Sequence, residues 1–152
     1  SRFYNNRVVG IDIDRQVRPP VLGTADVLPF GERTFDFAAS FQSYLFVDHV
    51  DGAFAELNRV LKDGGIAVVS INKLYYLQRE RRTHAGTVNL LSCADWIGAF
   101  ERQGFVTLPV RVPRRYTGRS AFLLNWISRR FGPYNIYKVQ KVWHIGAGPS
   151  LH

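Results

Sequence analysis

Short apolar runs bounded by polar or glycine-containing turns recur along the chain. Each run has the length of a strand, and the first three are apolar almost throughout, as buried parallel strands are. The predicted strands cover residues 7–12, 35–40, 66–71, 105–112 and 135–145. A further short strand at Val21, Leu22 and Gly23 is predicted to run into a polar loop that extends to Arg33.

Helical spacing of apolar residues appears between these strands. Residues 51–62 place Phe54, Leu57 and Val60 on one face and are followed by Gly64-Gly65, which predicts a helix with a glycine stop. Ser92 is a suitable N-cap for a second helix, and a third, amphipathic helix is predicted within residues 121–131. Strands that alternate with helices in this order indicate a doubly wound α/β sheet with helices on both faces.

The composition fits one globular domain over residues 1–152. Apolar residues make up 46% of the chain and aromatic residues 14%, which is enough for a core. The single cysteine, Cys93, excludes an internal disulfide and suits a reducing compartment, so a cytoplasmic location is predicted. No apolar run approaches the roughly 20 residues of a membrane-spanning helix, and no metal site is predicted.

The net charge of +8 is unevenly distributed along the chain. Residues 1–72 contain seven Lys and Arg against nine Asp and Glu, whereas residues 73–152 contain thirteen against three. The second half is therefore strongly basic. It could face nucleic acid, an anionic membrane surface or an acidic substrate, and an ordinary solvated surface explains it equally well.

The first predicted strand ends in a carboxylate, Asp12. In nucleotide-binding α/β folds an acid at this point accepts hydrogen bonds from ribose hydroxyls. The glycine-rich turn of such folds normally lies about 20 residues earlier, but only eleven residues precede Asp12 and none of residues 1–9 is glycine. We therefore expect that the first strand, the glycine-rich loop and the first helix are missing from this sequence.

Residues 7–112 resemble the class I S-adenosylmethionine-dependent methyltransferases, in the branch that acts mostly on small molecules and lipids. Four stretches in order carry the resemblance: VVGIDID at residues 8–14, GTADVLPF at 23–30, Phe35-Asp36, and ELNRVLKDGG at 56–65. The resemblance implies a Rossmann-like fold whose last strand is antiparallel. It also implies an in-line methyl transfer, for which a general base is optional.

The same resemblance implies which residues contact the cofactor, S-adenosylmethionine. Asp12 and Ile13 would lie at the ribose, a loop of four residues along the adenine, and the end of the next strand beside the methionine part. The loop residues are Thr24, Ala25, Asp26 and Val27, and the residues at the end of the strand are Ser40 and Phe41. The family commonly has an acid where this chain has Thr24, so Asp26 either replaces it or faces solvent. Asp14 is predicted to be a turn residue.

Catalytic residues are not identified by the sequence. Five residues are candidates for the substrate side, with helix packing or plain exposure as the alternative for each: Tyr44, Phe46, His49, Tyr75 and Tyr76. The 152 residues by themselves are expected to bind the cofactor weakly or not at all and to be inactive, because the missing loop would hold the methionine end.

Two other functions remain open from the sequence. An RNA methyltransferase would use the basic half, although Ser40-Phe41-Gln42-Ser43 stands where many base-amine methyltransferases carry an Asn-Pro-Pro-Tyr-like signature. The arginines concerned are Arg79, Arg81, Arg82, Arg114, Arg115, Arg119, Arg129 and Arg130. A non-catalytic binding or dimerising module is the second alternative, because an incomplete sheet exposes strand edges that invite pairing and self-association.

Overall fold

Strands and helices alternate along the described part of the chain. The computed structural model describes residues 8–72, 89, 91–110 and 134–142. Its strands are β1 (Ile11–Asp12), β2 (Val21–Leu22), β3 (Phe35–Phe41), β4 (Leu61–Asn72), β5 (Phe105–Leu108) and β6 (Tyr134–Lys141). Its α-helices are α1 (Val50–Val60) and α2 (Cys93–Arg102), and short 3-10 helices follow β1 at Arg15–Val17 and β3 at Ser43–Leu45.

The strands form two sheets. β1 and β2 pair in parallel, and the larger sheet has the order β3-β4-β6-β5. β3 runs parallel to β4, whereas β6 is antiparallel to both of its neighbours, β4 and β5. Three of the four strands of the larger sheet therefore share one direction. The predicted α/β class with an antiparallel last strand is confirmed.

Both described α-helices pack on the same face of the larger sheet. Phe54 of α1 stacks on Phe100 of α2 with 4.1 Å between ring centroids, and both side chains are fully buried. Alternate residues of β4 and β6, such as Val69 and Val139, complete this core. On β3, Phe37 and Phe41 are more than half exposed. The expectation of helices on both faces is thus not met by the described residues.

The glycines after α1 have a different role from the one predicted. The helix ends at Val60, and Leu61 already has extended backbone angles and begins β4. The pairing of β3 with β4 is irregular at this point. Gly64 adopts a φ of 75°, and a Cβ on Gly65 would lie 2.7 Å from the Lys62 carbonyl oxygen. The two glycines shape the irregular entry into β4 rather than stopping the helix.

Other boundaries agree with the prediction to different degrees. α2 begins after Ser92, whose hydroxyl accepts the Asp95 N–H while the Asp95 carboxylate accepts the Ser92 N–H, so the predicted N-cap is confirmed. β1 and β5 are shorter than predicted because residues 8–10 and 109–110 form no ladder. The predicted helix within residues 121–131 lies outside the described residues.

Candidate functional site

The two short parallel strands end side by side and start the candidate site. Asp12 pairs with Leu22, and the Gly23 N–H donates to the Asp12 carbonyl at 3.0 Å. A Cβ on Gly23 would lie 2.9 Å from Ile11 Cδ1, so glycine permits this close approach. The loop that leaves β2 therefore begins directly beside Asp12.

A local turn holds the Asp12 carboxylate while leaving it exposed. Asp12 Oδ1 accepts the Asp14 N–H at 2.9 Å, and Asp14 in turn caps the following 3-10 helix by accepting the Gln16 N–H at 2.8 Å. The prediction of a turn role for Asp14 is confirmed. Asp12 Oδ2 makes no hydrogen bond to the described residues, and the neighbouring Ile13 is 71% exposed. The second carboxylate oxygen is thus available to a ligand.

The loop after β2 folds back on itself beside this carboxylate. Thr24 and Val27 form an isolated bridge, and between them Ala25 packs against the hydrophobic core. Asp26 Oδ1 is buried and has no hydrogen-bond partner in the described structure. A buried carboxylate oxygen without a donor is costly. A donor group of a ligand or a water molecule would satisfy it.

The end of β3 contains a second buried polar atom without a hydrogen-bond partner in the described structure. Ser40 Oγ is buried without a hydrogen-bond partner among the described residues, while Phe41 is 75% exposed. Gln42 follows in the left-handed region, with a φ of 63°, and its N–H donates to the Ser70 carbonyl at 2.8 Å. Non-glycine residues in this conformation are held against local strain, and such residues cluster at functional sites.

Tyr44, in the 3-10 helix after β3, belongs to the core against which Ala25 of the loop after β2 packs. Its ring lies 4.7 Å from that of Phe54 and is buried in the core. Burial, with a smaller contribution from the Asp26 carboxylate, raises the pKa of Tyr44 above its ordinary range. The phenol therefore remains protonated at neutral pH. Tyr44 therefore contributes to the packing of the core.

The remaining substrate candidates are more scattered. Phe46 is 54% exposed, and His49 is an exposed residue that precedes α1 without capping it by a side-chain hydrogen bond. Tyr75 and Tyr76 lie outside the described residues. The structure thus places the 24–27 loop beside Asp12 and packs Ala25 of that loop against the core that contains Tyr44, and it leaves the substrate side largely undefined.

Two charged residues of α1 that lie three positions apart, Glu56 and Arg59, contact the loop beside Asp12. Arg59 donates to the carbonyls of Leu28 and Phe30, and Glu56 accepts the Leu28 N–H. The hydrogen bond from Arg59 lowers the pKa of Glu56, and the same bond raises the pKa of Arg59. The loop beside Asp12 is thereby attached to α1. No local sequence pattern reveals this contact, because its partners are about 30 residues apart.

The described residues contain no group of three or more His, Cys, Asp or Glu side chains close enough to bind a metal ion. None of their helices has the length and apolarity needed to cross a membrane.

Comparison with known proteins connects this geometry to a class. Residues 1–69 match the methyltransferase domain family. An uncharacterized protein of Methanocaldococcus jannaschii, MJ1252, is 35% identical over an alignment of 79 residues that covers 46% of this chain, and the chain spans 32% of that protein's length.

Two solved structures share the fold. An S-adenosylmethionine-dependent methyltransferase of Mesorhizobium loti superposes with a TM-score of 0.66 at 15% identity, over 88% of this chain and 79% of its own. A chain from the Haloferax volcanii complex between the Trm112 methyltransferase activator and a methyltransferase also superposes with a TM-score of 0.66. The two chains are 16% identical, and the match covers 83% of this chain and 62% of the Haloferax chain. The chain therefore has the class I methyltransferase fold, which confirms its resemblance to that class, while the small-molecule and lipid branch stays a prediction.

Proposed function

We propose that the region around Asp12 binds the adenosine part of S-adenosylmethionine, and that the chain serves methyl transfer to a small-molecule or lipid acceptor. One observation carries the proposal. A strand ends in an exposed carboxylate, directly beside a loop with a buried, unpartnered Asp26 oxygen. The family match over residues 1–69 contains both features.

The residues present suit an adenosine group. Vicinal ribose hydroxyls are donors, and a charged acceptor such as Asp12 binds them more strongly than a neutral one. An adenine amino group would supply the donor that Asp26 Oδ1 lacks, and Ser40 Oγ, with Phe41 beside it, would offer a polar contact to the methionine part. Ile13 and Val27, both 71% exposed, provide apolar surface for a planar base.

The proposed reaction requires little chemistry from the side chains. Bound S-adenosylmethionine supplies an already activated methyl group. The protein then has to align the acceptor and exclude water. We assign Phe46 and His49, with Tyr44 behind them, to the acceptor side, and we assign no general base.

The test compares two neighbouring carboxylates. Asp12→Asn keeps an oxygen for the Asp14 N–H but loses the charge offered to the ribose. We expect it to weaken S-adenosylhomocysteine binding by about 1.5–3 kcal/mol, the scale of a hydrogen bond to a charged group. Asp14→Asn preserves its cap and should leave the affinity unchanged. Calorimetry showing no loss for Asp12→Asn, or equal losses for both variants, would remove Asp12 from the site.

A binding or dimerising module is the second candidate, and a specific surface favours it. Phe37, Ala39 and Phe41 alternate along β3 and are all exposed. Among the described strands, β3 pairs on one edge only, with β4. Self-association through β3 would give a dimer in light scattering, whereas a clean monomer would count against it. The Haloferax neighbour is a complex with an activator, so a protein partner is an equally natural occupant.

The alternative of an RNA substrate rests on arginines that lie outside the described residues. It stays a prediction, as do the cytoplasmic location and an anionic membrane surface as partner of the basic half.

A further inference from the structure

We propose that Glu56 and Arg59 on α1 are positioning residues that hold the adenosine loop in its binding conformation. The inference rests on the proposed function, because it concerns the same loop. It assigns a role to two side chains that lie on the helix behind the loop and reach it through its backbone.

The contact is a closed set of hydrogen bonds. Arg59 Nε and Nη2 donate to the two Glu56 carboxylate oxygens at 2.7 and 2.8 Å. The same guanidinium donates from Nη1 to the Phe30 carbonyl at 2.8 Å and from Nη2 to the Leu28 carbonyl at 2.9 Å. Glu56 Oε2 accepts the Leu28 N–H at 2.9 Å. Both backbone polar groups of Leu28 are therefore bound by one ion pair.

The chemistry of this pair suits the task. A guanidinium presents donors in a rigid planar fork, so it can bind a carboxylate and two carbonyls at once, which a single ammonium cannot do in the same geometry. The side chains of Arg59 and Glu56 are only 31% and 22% exposed. Partial burial strengthens their hydrogen bonds relative to those of a fully solvated surface pair.

The Glu56–Arg59 pair fixes the end of the loop that is not fixed by β2. At its start, the loop is fixed by the Gly23 N–H on the Asp12 carbonyl. At its end, Leu28 and Phe30 are fixed by the pair, and the Phe30 ring meets Phe35 edge-on at 5.0 Å. No residue from 24 to 30 is fully buried. With little apolar packing, the conformation of residues 24–27 depends on these two anchored ends.

The test uses variants that keep charge or size and change geometry. Arg59→Lys keeps the positive charge but loses the fork. Glu56→Gln keeps an acceptor for the Leu28 N–H, whereas Glu56→Ala does not. Arg102→Lys is the matched control, since Arg102 of α2 donates twice to the Asp51 carboxylate on an exposed surface and forms no hydrogen bond to the loop in the described structure.

Two measurements are read together. For Arg59→Lys we expect amide exchange at Leu28 to accelerate about tenfold, as expected when a local anchor is lost. The affinities for S-adenosylhomocysteine and for adenosine should fall by a common factor of about ten. Glu56→Gln should exchange more slowly at Leu28 and bind both ligands more tightly than Glu56→Ala. The control, Arg102→Lys, should change neither the exchange at Leu28 nor the ligand affinities.

The outcomes separate this inference from the proposed function. Unchanged exchange at Leu28 and unchanged affinity in Arg59→Lys would overturn the positioning role. A lower melting temperature with unaltered affinity would also overturn it, because that is the signature of a purely structural pair. If no variant, wild type included, binds either ligand, the proposed cofactor function fails, and exchange at Leu28 alone then decides whether the pair holds the loop.

Discussion

The larger sheet with its two helices and the two-stranded β1–β2 region are held together by different forces. The large buried side chains, such as Trp96, Phe54 and Phe100, all lie between the larger sheet and the helices. No residue of β1, β2 or the 24–30 loop is fully buried, and this region is held by backbone pairing and by the Glu56–Arg59 pair. Apolar burial stabilises one region, and directed polar contacts stabilise the other.

This difference bears on function because the candidate cofactor residues lie mainly in the second region. Elements with few buried apolar contacts open locally at lower free energy than a core does. A ligand that bonds Asp12 and the 24–27 loop would therefore stabilise the region that most lacks stability of its own. Substitutions in the core should change global stability, whereas substitutions in the loop anchor should change local order and ligand affinity.

The largest expected effect is in the core. Phe54→Ala removes a fully buried ring that stacks on Phe100 and also meets Tyr44 and Trp96. We expect a loss of about 3–5 kcal/mol in the free energy of unfolding, from lost burial and the cavity left behind. Chemical denaturation followed by circular dichroism measures it. A loss below about 1 kcal/mol would show that this cluster is not the stabilising core.

The next effect concerns a buried lysine that joins the sheet to α1. Lys141 is 4% exposed, and its Nζ donates to the carbonyls of Asn58 and Leu61 at 2.9 Å and lies 3.4 Å from Asp63 Oδ1. Lys141→Met leaves these acceptors without their donor and should cost about 2–3 kcal/mol.

A matched exposed pair provides the control for that variant. Lys62 binds Asp36 at 2.8 Å, but their side chains are 48% and 83% exposed. Lys62→Met should therefore cost less than about 1 kcal/mol. Equal losses for the two methionine variants in denaturation would contradict the importance of burial for Lys141.

The smallest effect is local and depends on pH. The hydrogen bond from Arg59 lowers the pKa of Glu56 below its ordinary 4.5. The anchor is therefore fully present above about pH 4.5 and is lost as the pH falls through the lowered pKa of the folded protein. The protection of the Leu28 amide against exchange, measured relative to the intrinsic rate at each pH, should therefore fall in that window. Glu56→Gln should remove this pH response, and a response that persists in the variant would assign it to another carboxylate.

Local patterns predicted the elements well where the cause is local. The Ser92 cap, the helical face around Phe54 and the strand before Ser40 all follow from spacing and capping chemistry within one segment. The end of α1 was predicted wrongly because Gly64-Gly65 resembles a helix stop. In the structure these glycines serve the irregular pairing of β4 with β3, a contact between segments distant in the chain.

The candidate site was predictable to a similar extent. The strand-end position of Asp12 and the turn role of Asp14 could be derived from a few neighbouring residues. The loop anchor could not, because Glu56 and Arg59 look like an ordinary helix pair until Leu28 folds against them. Lys141 shows the same limit, since its burial depends on carbonyls about 80 residues earlier in the chain.

The central claim is that the weakly packed region around Asp12 is an adenosine site. The most direct test is a titration of the 15N-labelled 152-residue chain with S-adenosylhomocysteine, followed by amide chemical shifts, which detect even weak binding. We predict saturable shifts at Asp12, Ile13, residues 24–27 and Ser40, with the amides of α2 unaffected. Shifts confined to other parts of the chain, or no saturable shift at millimolar ligand, would contradict the account.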